Sequence, residues 1–147
     1  TSWSCSIAIA APMASNFELD IQRYVDAANG KIDIVIRKIS LDLFRRVVMK
    51  SPVDTGRFKG NWQVQIGAIP KGTLKLDDKA GTATITRVTA ETLKLKAGEV
   101  IYLVNNLEYA RALEYGHSKQ APKGMVRITV AEFPQVVNKA AQETRDS

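Results

Sequence analysis

The chain has 147 residues, of which 45% are hydrophobic and 24% are charged. This is the composition of one globular domain with an ordinary core, and it argues against disorder over most of the length. The net charge of +6 permits contact with nucleic acid or with an acidic partner surface but establishes neither. No apolar run approaches the roughly 18 residues that span a bilayer, so no membrane partner is expected.

The N-terminal region differs from the rest of the chain. Ile7–Ala11 is apolar, but it lacks a positively charged flank and is too short for a secretory signal. Met13 is typical of a translation start, which would make residues 1–12 an upstream extension. An ordered arm would lie against a neighbouring surface, because free termini are usually disordered. The predicted organisation is an N-terminal arm or extension over residues 1–15, a single α+β domain over residues 16–143 and a frayed tail over residues 144–147.

Two helices are predicted before residue 50. A short first helix begins at Ser15 or Asn16 and ends at Asn29-Gly30. A longer second helix runs from about Lys31 to Met49, because apolar residues recur there at helical spacing. Its apolar stripe comprises Ile32, Ile36, Ile39, Leu43 and Val47. The basic residues of its last turns form either a solvated end or a surface aimed at DNA or at an acidic ring partner; they are Arg45, Arg46 and Lys50.

The stretch Ser51–Trp62 connects this helix to the strands. Pro52 disfavours the helical conformation at Ser51, so the helix is expected to end at or just before Lys50. The Asp54 side chain is expected to bond to its own backbone two residues on, and Gly56 is expected to take a positive φ. The connector is therefore predicted to be a tight turn.

Three segments have the alternation or the β-branched composition of strands: Asn61–Ile69, Thr82–Val88 and Val100–Val104. Thr73–Leu76 would add a short edge piece. The predicted fold class is α+β, an antiparallel sheet of three to four strands packed against a long N-terminal helix and a C-terminal helix.

The last part of the chain is predicted to be helical with one loop. Leu107–Tyr115 predicts two helical turns that end at Gly116, since glycine commonly follows the last residue of a helix. Ser118–Gly124 is a polar, basic loop. Met125–Gln142 predicts an amphipathic helix in which Pro134 produces a kink or the start of a new helix.

Enzymatic chemistry is not indicated. His117 is the only histidine and Cys5 the only cysteine, so an internal disulfide, a cysteine-cluster metal site and a two-histidine site are excluded. The single cysteine suits a reducing compartment. No carboxylates are paired at a spacing suited to acid/base catalysis, and no glycine loop has the context that cradles phosphate. We expect no catalytic residue, no metal and no cofactor.

Nucleic-acid binding is one remaining function. Arg57, Lys59 and Trp62 combine basic and aromatic side chains, and a second basic set consists of Lys119, Lys123 and Arg127. A basic groove with aromatic stacking is the usual arrangement for single-stranded nucleic acid. Trp62, however, falls on the apolar phase of its strand, which favours a position in the core or at an interface.

Self-assembly is the other function that the sequence leaves open. Tyr109 and Tyr115 lie close to Leu107 and Leu113 on a short element that a basic loop follows. A compact domain with such a loop suits packing in a ring, where neighbouring copies bury loops and arms. The spacing is equally consistent with these side chains completing the local core.

Two motifs resemble those of a known family. The first is Ser51-Pro-Val-Asp-Thr-Gly-Arg57, and the second is Tyr109-Ala-Arg-Ala-Leu-Glu-Tyr-Gly-His117, preceded by Ile101–Leu107. Their sequences, order and separation resemble the tail-component family of long-tailed bacteriophages, the small head–tail joining or tail-completion proteins. The resemblance runs from about Asn16 to Glu143, and residues 1–12 match nothing in that family.

The resemblance implies a non-enzymatic structural protein of the virion, located in the tail or neck and in the host cytoplasm during assembly. It implies a homo-oligomeric ring, with a hexamer favoured, that adjoins tail-tube, terminator or head-connector proteins and contacts channel DNA without sequence specificity. A tail terminator that caps the tube is the alternative within this class. The assembly-facing or channel-facing candidates are Arg57, Lys59, Trp62, Tyr109, Glu114, Tyr115, His117, Lys119 and Lys123. The residues expected to define the turns are Pro52, Asp54, Thr55, Gly56 and Gly116.

Overall fold

An antiparallel sheet with the strand order β1-β3-β2 forms one layer of the fold. Its strands are β1 (Cys5–Ala10), β2 (Trp62–Ile66) and β3 (Val100–Asn105). The structure, a computed structural model, describes residues 5–10 and 32–145 except 117 and 122. Cys5, Asn105 and Trp62 are aligned across the sheet, so the central strand is the last of the three in the sequence. The class is therefore mixed α and β with an antiparallel sheet, as predicted.

The helix predicted over residues 31–49 is confirmed as α1 (Ile32–Met49). Four residues of its apolar stripe are buried in the core that α1 shares with neighbouring helices and with the sheet: Ile36, Ile39, Leu43 and Val47. The buried side chains of α1 are Val35, Ile36, Ile39, Leu43, Phe44, Val47 and Val48. A strand precedes α1, so the long helix is not the N-terminal element of the fold. The predicted first helix, over residues 15–29, lies outside the described residues.

Part of the predicted N-terminal arm belongs to the sheet. β1 pairs with β3 over its whole length, from Cys5 opposite Asn105 to Ala10 opposite Val100. The sequence did not indicate this strand, because its partner lies about a hundred residues away and a short apolar run alone does not distinguish strand from arm. The backbone groups of β1 that face β3 are thus paired within this chain, and β1 forms one edge of the sheet.

The strand predicted over Thr82–Val88 is wrong, since these residues begin helix α3 (Thr82–Thr92). The β-branched composition suggested a strand, but Thr84, Val88 and Thr92 are the buried positions and recur every four residues. Threonine hydroxyls donate to carbonyls one turn earlier, as from Thr89 to Ile85 at 2.7 Å, which makes threonine tolerable in a helix. The suggested edge piece Thr73–Leu76 is irregular.

The remaining helices are short until the last. α2 is Arg57–Gly60, α4 is Ala110–Glu114, α5 is Val126–Ala131 and α6 is Phe133–Arg145. The predicted division of the closing helix is confirmed, because the break falls at Glu132 and Pro134 occupies the first turn of α6, where its missing N–H costs little. Gly116 follows α4 with φ +89°, as expected for a helix end. None of the helices among the described residues is long and apolar enough to cross a membrane.

Candidate assembly surface

The two stretches that carry the family resemblance meet in space. The side-chain amide of Gln120 accepts a hydrogen bond from the N–H of Val53 at 2.9 Å and donates to its carbonyl at 3.0 Å. The Phe58 and Tyr109 rings are 6.0 Å apart, and the Asn105 amide donates to the Phe58 carbonyl at 2.8 Å. Residues 51–62 and 105–121 therefore form one corner of the molecule, which we call the signature corner.

Ser51 and Trp62 fix the inner side of this corner. The Ser51 hydroxyl donates to the Val47 carbonyl at 3.0 Å and accepts from the Trp62 indole N–H at 2.7 Å. Both residues are buried, and the indole packs edge-on against the Phe58 ring. One hydroxyl thus links the end of α1 to the start of β2. It also gives the buried indole N–H an acceptor, so Trp62 can lie in the core without an unsatisfied polar group.

The turn itself depends on Gly56. It has φ +89°, and its carbonyl accepts from the Asp78 N–H at 2.9 Å. A Cβ at this position would lie 2.5 Å from the backbone nitrogen of Lys79. The Thr55 hydroxyl accepts the N–H of Arg57 at 3.2 Å, so threonine makes the local bond that the sequence assigned to Asp54, while Asp54 is exposed. Pro52 is buried beside them.

Asp78 and Arg87 hydrogen-bond to the backbone of the connector, at Gly56 and Gly60, and the sequence did not identify either residue. Asp78 accepts the N–H and hydroxyl of Thr84 and the N–H of Gly81, which satisfies two of the backbone N–H groups at the start of α3. Burial opposes ionisation, but the bonds from Thr84 and Gly81 lower the pKa of Asp78 below its ordinary value. Burial also lowers the pKa of Arg87, whose guanidinium donates to the Gly60 carbonyl at 2.8 Å. The sequence signal for this helix start was an aspartate, Asp78, three residues before a glycine and six before a threonine.

Three of the predicted surface candidates are buried. Trp62 belongs to the core, and Lys59 is 6% exposed because its ammonium turns inward to the Lys79 carbonyl. Glu114 is 6% exposed because its carboxylate accepts the backbone N–H groups that begin α5. The expectation that these three side chains face a ring partner or the channel is therefore wrong for the folded chain, because they are buried within it. His117 lies outside the described residues.

The other candidates remain at the surface, and Tyr115 is the most prominent. It is 63% exposed, and the guanidinium carbons of Arg127 and Arg111 lie 4.7 Å and 5.7 Å from its ring centroid. Such stacking orders an exposed aromatic ring and its cations together. Arg111 was not singled out from the sequence, although it lies four residues before Tyr115 on a predicted helix. The other exposed candidates are Arg57, Tyr109, Lys119 and Lys123.

The basic end of α1 is largely neutralised within the chain. Arg46 is 2.9 Å from Asp42 and 3.0 Å from Glu132, and Lys50 also pairs with Glu132. Neither residue is therefore a free cation for DNA or for a ring partner, while Arg45 is exposed. The hydrogen bond from Lys50 lowers the pKa of Glu132, and the positive charges of Lys50 and Arg46 lower it further. Burial acts in the opposite direction but is outweighed.

This shift predicts an acid-dependent contribution to stability. A carboxyl whose pKa is lower in the folded state stabilises the fold above its unfolded pKa, and this contribution is lost as pH falls through the folded value. We expect the urea midpoint of the wild type to fall more steeply below about pH 4.5 than that of Glu132→Gln. Equal pH profiles of the two proteins between pH 7 and pH 3 would contradict the assignment.

The described residues include no group of three or more histidine, cysteine, aspartate or glutamate side chains that could hold a metal ion. No protein-family model, curated protein or solved structure matches this chain.

Proposed function

We propose that this chain is a non-enzymatic structural protein of a long-tailed phage virion, a tail-completion or head–tail joining protein. In this proposal, copies form a ring, with a hexamer favoured, at the head-proximal end of the tail. The observation that carries the proposal is the contact between the segments that contain the two resemblance motifs. The Phe58 and Tyr109 rings lie 6.0 Å apart, and Gln120, in the loop after the second motif, bonds to the Val53 backbone. Two motifs distant in sequence thus act as one structural unit, as expected if they preserve a shared surface.

The corner presents side chains suited to an interface between copies. Tyr109 and Tyr115 are 44% and 63% exposed, and arginines accompany the second ring. Tyrosine and arginine are enriched among the residues that dominate binding energies at protein interfaces. A ring needs head-to-tail contacts, in which this patch meets a different patch of the next copy. The proposed subunit retains the family architecture of three to four strands packed against the long helix and the closing helix.

Within this proposal the ring adjoins tail-tube, terminator or head-connector proteins and is located in the tail or neck. A terminator that caps the tail tube is the alternative assignment. A nucleic-acid-binding module is the second candidate function, because Tyr115 between two arginines combines a stacking surface with cations. One pair of variants separates assembly from nucleic-acid binding.

Tyr115→Ala is expected to weaken assembly at least tenfold, because it removes an exposed aromatic anchor without opening the core. The matched control is Leu93→Ala, since Leu93 is 56% exposed but lies at the end of α3, outside the signature corner. The measurement is light scattering of each purified protein alone and with tail tubes, together with the yield of joined particles.

A wild-type protein that stays monomeric, does not associate with tails and does not affect joining would contradict the assembly proposal. Equal losses for Tyr115→Ala and Leu93→Ala would contradict the role of the corner. If the wild type assembles poorly but binds single-stranded DNA, and Tyr115→Ala weakens that binding, the second candidate is favoured.

A further inference from the structure

Lys59 is a buried lysine whose ammonium has little to compensate its charge. The residue is 6% exposed, and within the described part of the chain its one hydrogen bond goes to the neutral Lys79 carbonyl at 3.3 Å. The ion pairs of the described residues do not include it. Burying an unpaired ammonium is costly, so such a group is normally matched by an anion. Two of its three N–H donors remain for a ligand.

The Lys59 side chain lines a cleft of about 460 Å³. The cleft lies between the end of α1, the connector and the basic loop, and Ser51 and Val53 of the first resemblance motif belong to its walls. It contains three lysines and no acidic side chain among its lining residues. Lys123 is exposed at the loop, and Lys50 is held in place by Glu132 and Thr129.

We propose that this cleft is a binding site for a phosphate-type oxyanion, either free phosphate or a phosphate of a nucleic-acid backbone. The Lys59 ammonium supplies the buried donor, and Lys123 supplies a second cation from the rim. Lys50 adds positive potential although its charge is already paired. The walls are held in position without a ligand. The Gln120 amide makes two hydrogen bonds to the Val53 backbone, and the methylene chain of Lys59 packs against Gly81.

The ligand class follows from charge and geometry. Free phosphate and a backbone phosphodiester can each bond two ammonium groups at once through different oxygens. Free phosphate, as a dianion with more oxygens, is expected to bind more tightly than a monovalent carboxylate such as acetate. The cleft shares part of the signature corner, but its three lysines are distinct from Tyr109 and Tyr115, so phosphate binding and assembly can be tested with separate variants.

The test is calorimetric titration of the folded wild-type chain with inorganic phosphate at fixed ionic strength. We expect Lys123→Ala to weaken phosphate binding several-fold and Lys59→Met to weaken it at least tenfold, since each loses a charge-assisted bond. Lys119→Ala is the matched control, because it removes an exposed lysine of the same loop that does not line the cleft. Lys123→Ala suffices if Lys59→Met does not fold, since Lys123 is exposed.

Absence of phosphate binding to the wild type would overturn the site. Equal weakening by Lys119→Ala and Lys123→Ala would overturn it too, because that result describes general attraction to positive charge. Acetate binding as tight as phosphate binding would overturn the ligand class. A single-stranded oligonucleotide that competes with phosphate, and that also binds less well to Lys123→Ala, supports the site and identifies nucleic acid as the source. Phosphate binding without such competition supports the site with free phosphate as its ligand.

Discussion

Gly56→Ala is expected to lower the free energy of unfolding by about 3 kcal/mol or more, with little change in the surface of the folded protein. Two penalties combine. At φ +89° an L-residue is in the left-handed region, which costs about 1–2 kcal/mol. The added methyl group would also lie 2.5 Å from Lys79 N and 2.7 Å from Asp78 N, and these are backbone atoms that cannot rotate away. Relief requires moving the 77–79 segment, which would break the hydrogen bond from Asp78 to Gly56.

The control separates the two penalties. Gly67 has φ +84°, and a Cβ there would meet no atom within 4 Å. Gly67→Ala is therefore expected to cost about 1 kcal/mol, from the backbone conformation alone. Urea unfolding of both variants measures the difference. If Gly56→Ala costs no more than Gly67→Ala, the close approach of the connector to residues 78–79 is not important for stability.

Glu114→Ala is the second substitution for which we expect a large effect, a loss of about 3 kcal/mol in the free energy of unfolding. One carboxylate oxygen of Glu114 accepts the N–H groups of Met125 and Val126 at 2.9 Å and 2.8 Å. The other accepts the N–H of Arg127 at 3.0 Å and its guanidinium at 3.1 Å. Alanine would leave buried donors at the start of α5 without an acceptor. It would also remove the carboxylate partner of the arginine that stacks on Tyr115, which would keep its bond to the Glu114 carbonyl.

The substitution should also loosen the exposed ring, so that proteolysis of the 115–124 segment becomes faster than in the wild type. Glu108→Ala is the control, since Glu108 is exposed and is expected to change stability by less than about 0.5 kcal/mol. Urea midpoints and digestion rates of the two variants provide the comparison. A Glu114→Ala protein as stable as Glu108→Ala would show that water replaces the carboxylate without cost.

The sequence predicted correctly those elements in which apolar residues recur at a regular spacing. The stripe of α1 is aliphatic, β2 alternates apolar residues with glutamines, and β3 is an almost continuous apolar run, so all three patterns were visible in the sequence. Helix α3 was missed because two of its three buried positions are threonines, which do not count as apolar although Thr84 and Thr92 are buried. Strand β1 was missed because pairing with β3 is a long-range contact that no local pattern encodes.

The candidate site was predicted in outline only. The sequence placed a turn at Gly56 and a helix end at Gly116, since glycine is required where φ is positive. It could not show that the Lys59 and Glu114 side chains turn inward, because their acceptor and donors come from segments 20 and 11 residues away, at Lys79 and Met125. Charged residues are usually exposed, so burial of these two reflects tertiary contacts rather than composition.

The order of the strands has a consequence for how the protein folds during synthesis. β1 and β2 do not pair with each other, since each pairs only with β3. Neither strand has its sheet partner until the ribosome has added Asn105, although α1 can form much earlier from local contacts. The emerging chain must therefore keep β1, and later also β2, unpaired until β3 has been added, and closing the sheet is expected to be the slow step of folding.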